Sequence, residues 1–278
     1  MKKLPPSLFF LFFVWGLLGC AQQKTPCPCQ GRTLRLSSTT SVDNTGLLGY
    51  ILPPFEKRTG IKLQVLAVGT GHALKLAENG DVDAVLVHDH VAEKAFMDAG
   101  FGVSHMDVMH NNFVLVGPES DPAKTKGKSI IDGLKSIYKA KAKFVSRGDQ
   151  SGTHKAELRF WKAAGLHPSG DWYIESGQGQ RLNLNTANEK RAYCLLDKAT
   201  YTTAAKDVQL KILVQGDPLL YNPYSFMAVN PARHPKAHYL EAMAFGGWLT
   251  SPECQKLIGQ YRKGSTEPLF YPDVIKTP

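Results

Sequence analysis

Three short stretches of this 278-residue chain gather side chains that could hold an anion. The first is Ser38-Thr39-Thr40-Ser41, a row of hydroxyls between an extended run and a helical one. Hydroxyls placed there stand beside the unpaired N–H groups of a helix start, where negative charge is favoured. Taken alone, the row is better explained as one N-cap with solvated neighbours. The second stretch is Gly69-Thr70-Gly71, again between strand and helix. Glycine lets backbone approach a ligand closely, although a tight turn would need no more than this. The third is Ser146-Arg147-Gly148-Asp149-Gln150-Ser151-Gly152-Thr153-His154. Arg147 offers a planar fork of donors that fits an oxyanion. Asp149 can orient that fork and partly offset its charge. Ser151, Gly152 and Thr153 add hydroxyls and N–H groups at a helix start. A polar capping loop could look the same, but three such turns on the strand-to-helix side point to one shared anion site.

Two other chemistries use the same residue types. Ser151, His154 and Asp149 could be read as the triad of an exported Ser/His hydrolase. The stretch lacks the G-x-S-x-G elbow, and Ser151 and His154 fall on one helical turn. A metal site could draw on His88-Asp89-His90, His105 and His110, yet no zinc-like cluster stands out among them. The expectation is therefore a binding protein with no catalytic residue, no cofactor and no metal cation.

The elements that must position these turns alternate. Strands are expected over 33–37, 62–68, 84–87, 113–116, 210–214 and 224–229, with a strand end at 144–145. Helices are expected over 45–58, 71–79, 91–99, 128–141, 153–164, 235–250 and 252–261. Pro53 and Pro54 should kink or break the first. A further helix over 186–196 is suggested by the capping-box pattern Thr186-Ala187-Asn188-Glu189. Such alternation implies βαβ units and a mainly parallel sheet. Two α/β lobes of about 100 residues each fit the length. Extended runs at 112–116 and 224–229 would cross between them, making a two-lobed clamp with the ligand at the interface. The division expected is 32–116 plus 224–278 for lobe 1 and 117–223 for lobe 2.

Composition agrees with a globular chain, at 43% hydrophobic and 21% charged residues. A mean hydropathy of −0.22 excludes a multi-span membrane protein. The net charge of +9 suits anionic partners, but no Lys/Arg-rich run appears, so nucleic acid is not expected. At the N-terminus, Lys2 and Lys3 precede an apolar run of eleven residues, Leu8 to Leu18. That is too short to span a bilayer, which takes about 20 residues, and reads as a signal peptide over 1–19. Leu17-Leu18-Gly19-Cys20 resembles the bacterial lipobox, so Cys20 is expected to be lipidated. Residues 20–31 would then be a lipidated, Pro-containing tether. A disulfide between Cys194 and Cys254, or from Cys27 or Cys29 to the body, is left open at this point.

These stretches carry a resemblance. STTSVDNTGLL (38–48), PPFEKRTGIKLQVLAVGTGHALKLAENGDVDAVLVH (53–88), NNFVLVGPESDPA (111–123), FVSRGDQSGTHKAEL (144–158) and ANEKRAY (187–193) resemble the tungstate-binding proteins of bacterial ABC importers. Together they cover most of the chain from Leu34 to Asn230. The SRGD-x-SGTH stretch is the most specific, and is also similar to the anion loop of periplasmic phosphate-binding proteins. Where the family usually continues Gly-Gln-Gly with Met-Gly, this chain has Gln180-Arg181. The resemblance implies a periplasmic-binding-protein-like clamp of type II with two crossover strands, and a lipid-anchored monomer on the periplasmic face or cell surface. It would pass tungstate to a membrane permease. The ligand-binding residues implied are Thr39, Thr40, Ser41, Gly69, Thr70, Gly71, Arg147, Ser151, Gly152 and Thr153, with Asp149 and His88 in support. Phosphate-binding relatives carry an Asp near the position of His88. A donor-only pocket suits a fully deprotonated dianion, so molybdate and sulfate are the alternatives, with phosphate behind them. Tungstate over molybdate rests on the resemblance.

Overall fold

A computed structural model describes residues 31–274. The segments expected as signal peptide and lipidated tether, with Cys20, Cys27 and Cys29, lie outside the described residues apart from Gly31. The first half runs β1 (Thr33–Thr39), α1 (Thr40–Thr45), α2 (Leu47–Thr59), β2 (Lys62–Val68), α3 (Thr70–Asn79), β3 (Ala84–Val87), α4 (His90–Asp98) and β4 (Gly102–Gly117). There follow α5 (Ile130–Ala140), β5 (Phe144–Ser146), α6 (Gly152–Ala163), β6 (Tyr173–Glu175), α7 (Gln180–Lys190), β7 (Cys194–Asp197), α8 (Lys198–Ala204) and β8 (Lys211–Val214). The chain closes with β9 (Tyr221–Val229), α9 (Tyr239–Leu249), α10 (Pro252–Gln260) and the short β10 (Tyr271–Pro272).

Strand β4 organises the molecule. Residues 102–112 pair with β9, and residues 113–117 pair with β7 on one side and β8 on the other. One continuous strand thus belongs to two sheets. In the first, the order is β10-β4-β9-β3-β1-β2. In the second, β4 is flanked by β7 and β8, while β5 pairs with β6 and touches the start of the β7 segment through a Phe144–Tyr193 bridge. Both sheets bury apolar residues on both faces, as helix-covered α/β layers must. Leu34, Leu36, Phe55, Phe245 and Trp248 fill one face of the first sheet, and Ala73, Val85, Val87, Phe96 and Met227 the other. Phe144, Trp161, Tyr193 and Leu195 lie on one side of the second, and Val114, Val116, Val145 and Leu196 on the other.

Several expectations are corrected. The sheets are mixed: β1 is parallel to β2 and β3, and β5 to β6, but every pairing of β4 and β9 is antiparallel. A strand that leaves one half and another that returns run in opposite senses, so parallel order stops there. Pro53 and Pro54 sit inside α2 without breaking it. The carbonyls they cannot bond belong, by i→i−4 spacing, to Gly49 and Tyr50, which are exposed and can meet water. The break falls earlier, at Gly46, whose φ of +80° ends α1. The capping-box reading of 186–196 also fails. Helix α7 starts at Gln180, after an N-cap glycine that makes no side-chain bond, and 194–197 is strand β7. The first part of β4 went unread because two register shifts, at 103–106 and 107–109, break its alternation of apolar and polar residues. Cys194 and Cys254 are free thiols buried in different cores, which answers the question of a bond between them. Burial pushes the Cys254 thiol up to about 12.

Candidate functional site

Three helix starts meet at one small cavity. Its wall is Thr39, Thr40 and Ser41 at the start of α1, Gly69 and Thr70 at the start of α3, and Ser151, Gly152 and Thr153 at the start of α6. Val68, His88 and Arg147 complete it. The parallel neighbours β1 and β2 hand their chains to helices on one edge of the first sheet, and β5, outside that sheet, brings its turn to the same cavity. Neither Thr39 nor Gly69 caps its helix with a side chain, so the first N–H groups of α1 and α3 have no partner from those caps. The cavity measures about 10 Å³, close to the room that one water molecule takes. Pockets for organic ligands run to roughly 300–1,000 Å³, so this one has room for a small ion and not for an organic molecule. No carboxylate lines it.

Arg147 is 3% exposed, so its fork is held inside the fold. Its Nε donates to Asp149 Oδ2 at 3.1 Å, its Nη2 donates to the same oxygen, and its Nη1 donates to Gln180 Oε1 at 2.5 Å. A guanidinium has five N–H bonds, so two remain. Asp149 Oδ1 also accepts from the Ser151 backbone N–H at 3.1 Å, tying the arginine to the start of α6. Burial would raise the Asp149 pKa, but the Ser151 bonds and the Arg147 charge outweigh it and hold the carboxyl below its ordinary value. Asp149 stands outside the cavity wall, in a wider groove shared with Thr40, Gly69, Gly71, Arg147 and Gly179.

The hydroxyls divide by role. Ser38 Oγ donates to Leu86 O at 3.0 Å and is spent on the sheet. Thr39 Oγ1 and Ser41 Oγ lie 2.9 Å apart on the cavity wall. Ser151 Oγ caps α6 by accepting from His154 N. Thr70 Oγ1 is buried on the wall and bonds to nothing among the described residues. An unpaired buried hydroxyl costs free energy unless a ligand completes it. His88 is buried, and burial pulls its pKa down to about 4, so it is neutral at pH 7. Its Nδ1 is 2.9 Å from Asn222 Oδ1, and the Asn222 amide nitrogen is committed to Asn111 Oδ1 and Tyr224 Oη. Nδ1 is therefore the donor, and Nε2 faces Ser41 Oγ at 3.5 Å.

Sequence reasoning missed what joins these groups behind the wall. Asn111 Nδ2 donates to Asp197 Oδ1 at 3.3 Å, and Gln180 Nε2 donates to Asp197 Oδ2 at 2.5 Å. Since Gln180 also accepts from Arg147, a buried polar chain runs His88–Asn222–Asn111–Asp197–Gln180–Arg147. It passes through both long strands. The available signal was asparagine inside otherwise apolar strand sequence, at Asn111 and Asn222. The hydrolase triad does not form: His154 Nδ1 accepts from the Gln150 backbone N–H at 3.1 Å and is not turned to Ser151 Oγ. Among the histidines of the metal reading, His88 faces the cavity, His110 pairs with Asp273 at 2.6 Å, and His90 and His105 lie together elsewhere.

The PBP superfamily domain matches residues 29–253. The tungstate-binding protein TupA of Peptoclostridium acidaminophilum is 42% identical over 94% of this chain and 94% of its own. The chain belongs to this family of tungstate-binding proteins. The crystal structure of the tungstate ABC transporter from Geobacter sulfurreducens is 48% identical, with a TM-score of 0.77 over 84% of this chain and all of that one. TupA from Desulfovibrio alaskensis is 46% identical, with a TM-score of 0.76 over 87% of this chain and 99% of its own. Members of the family share the α/β periplasmic-binding-protein fold described above.

Proposed function

We propose that this protein captures a tetrahedral oxyanion outside the cytoplasmic membrane, tungstate in the first place and molybdate as the alternative, and delivers it to an ABC permease. The observation that carries the reading is a cavity of ionic size walled by helix-start N–H groups, hydroxyls and Arg147, with no carboxylate. Such a wall favours an anion with no proton to donate. Near pH 7 phosphate keeps a proton and gains from an acidic acceptor, which this wall lacks. Each helix start contributes roughly 0.3–1 kcal/mol when exposed and more when partly buried. The name of the relatives at 42–48% identity supports tungstate.

In this reading Thr39, Thr40, Ser41, Gly69, Thr70 and Gly71 belong to lobe 1 (32–116 plus 224–278). Arg147, Ser151, Gly152 and Thr153 belong to lobe 2 (117–223). Closure brings the two sets round the anion, and water exclusion strengthens every bond to it. Asp149 and Gln180 hold the arginine, and His88 holds Ser41. The protein acts as a monomer with no chemical step and no cofactor, tethered by lipid at Cys20. Cys20→Ser should leave the protein in the soluble fraction; retention in the membrane would exclude that anchor. Calorimetry and thermal shift with tungstate, molybdate, sulfate, phosphate and chromate test the ligand. Native-state binding raises stability as RT ln(1 + [L]/Kd), so tungstate should give the largest shift. Equal or larger shifts with phosphate would overturn the reading.

A further inference from the structure

Between α4 and β4, outside the wall of the anion cavity, three side chains converge that the anion reading does not use. Glu93 Oε2 lies 3.1 Å from His105 Nε2 and 3.3 Å from His90 Nδ1, and the three atoms lie within 4.8 Å of one another. His90 opens α4 and Glu93 is one turn on, so both stand on the same helix face. His105 comes from β4. It follows Ser104, whose φ is +58°, within a register shift between Val103 and Met106. A bulge of this kind re-aims a side chain, here toward the helix.

We propose that His90, Glu93 and His105 form a binding site for a divalent transition metal of the zinc type. Zinc binds histidine nitrogen at roughly 2.0–2.1 Å and carboxylate oxygen at a similar distance. Two tetrahedral ligands at that radius stand about 3.3 Å apart. The two Glu93–histidine separations, 3.1 and 3.3 Å, are already close to that edge. Two imidazoles and a carboxylate suit zinc, copper and nickel rather than magnesium or calcium. The carboxylate is fixed from behind, because Glu93 Oε1 accepts from the Asp89 backbone N–H at 2.8 Å. Support of that kind holds a ligand in place for the ion. Glu93 is buried while both histidines reach the surface, so a metal could enter from solvent and keep water in its fourth position. The alternative is a histidine ion pair with no affinity for metal.

The site is separate from the anion cavity, so its test does not depend on which anion binds. The purified full chain is titrated with zinc chloride alone by calorimetry, with circular dichroism of each variant as the check on folding. One zinc should bind. His90→Ala and His105→Ala should each weaken it at least tenfold, and the double variant should remove it. Cobalt in place of zinc should show the strong visible absorption of a four-coordinate ion in the parent chain and lose it in His105→Gln. No zinc binding by the parent chain, equal binding by the folded double variant, or only the weak spectrum of hydrated cobalt would each overturn the proposal.

Discussion

With Nε and Nη2 turned to Asp149 and Nη1 to Gln180, Arg147 can offer its two remaining N–H bonds in one fixed direction. Lysine would keep the charge and lose both the fork and its two anchors. Arg147→Lys should weaken tungstate binding at least tenfold, and Arg147→Ala further, with a larger loss for tungstate than for the monoanion perrhenate. Calorimetry on folded variants decides this; wild-type affinity in Arg147→Ala would remove the centre of the proposed site. Thr70 makes a complementary case. Its hydroxyl is buried and unpaired among the described residues, so removing it while keeping the shape should not harm the protein without anion. Thr70→Val should match or exceed the parent chain in unliganded stability. It should also lose roughly 1.5–3 kcal/mol of tungstate binding, the worth of a hydrogen bond to a charged group. If both quantities fall together, Thr70 is a packing residue instead.

Helix α6 carries the Arg147–Thr153 turn at one end and an unusual acid in its middle. Glu157 is fully buried, and burial lifts its pKa from 4.5 to about 7. Hydrogen bonds from Ser146 Oγ at 2.9 Å, Trp161 Nε1 at 3.1 Å and Tyr173 Oη at 2.8 Å favour the carboxylate but do not offset that burial. The folded chain therefore keeps a proton that the unfolded chain has already released. Its contribution to stability is full below about pH 4.5 and is lost as pH rises toward 7. At about 1.4 kcal/mol for each tenfold in proton affinity, the loss is roughly 3 kcal/mol. Glu157→Gln should flatten the fall in melting temperature between pH 5 and pH 8; an unchanged slope would mean that other groups set it.

For the whole molecule the decisive contact is the approach of α6 to the first sheet. A Cβ at Gly152 would lie 2.8 Å from His88 Cε1 and 2.9 Å from Thr70 Oγ1. Asp89, just after β3, meets Lys155 at 3.6 Å and Arg159 at 3.2 Å on the same helix. Gly152 opens α6 with no left-handed φ, so alanine suits its backbone and should favour the helix. Gly152→Ala should thus fold as well as the parent chain and yet bind tungstate at least tenfold more weakly, because the two halves cannot come together. X-ray scattering in saturating tungstate should show it more extended than the parent. Full affinity with a compact shape would mean that this contact is not needed for capture.

How much of this was legible beforehand differs from residue to residue. The sequence by itself determined the turns: hydroxyls, glycines and an Arg-x-Asp pair placed between extended and helical runs. It does so because local backbone chemistry selects those residues at helix starts, and because the turns after parallel neighbours such as β1 and β2 share one edge. It also determined most strands and helices, through periodicity. Tertiary structure decided what local chemistry cannot. Whether Asn111, Asn222, Gln180 and Asp197 form one buried chain depends on strands 111 residues apart in sequence lying side by side. The start of α7 carries no capping side chain, and the first part of β4 loses its alternation at two bulges, so neither had a local signature. Prolines 53 and 54 fit inside α2 because the residues whose carbonyls they leave unbonded, Gly49 and Tyr50, are exposed and can be met by water. His90, Glu93 and His105 became neighbours only when a left-handed Ser104 turned β4 toward α4. In each case the deciding quantity is a distance across the fold, and sequence spacing does not contain it.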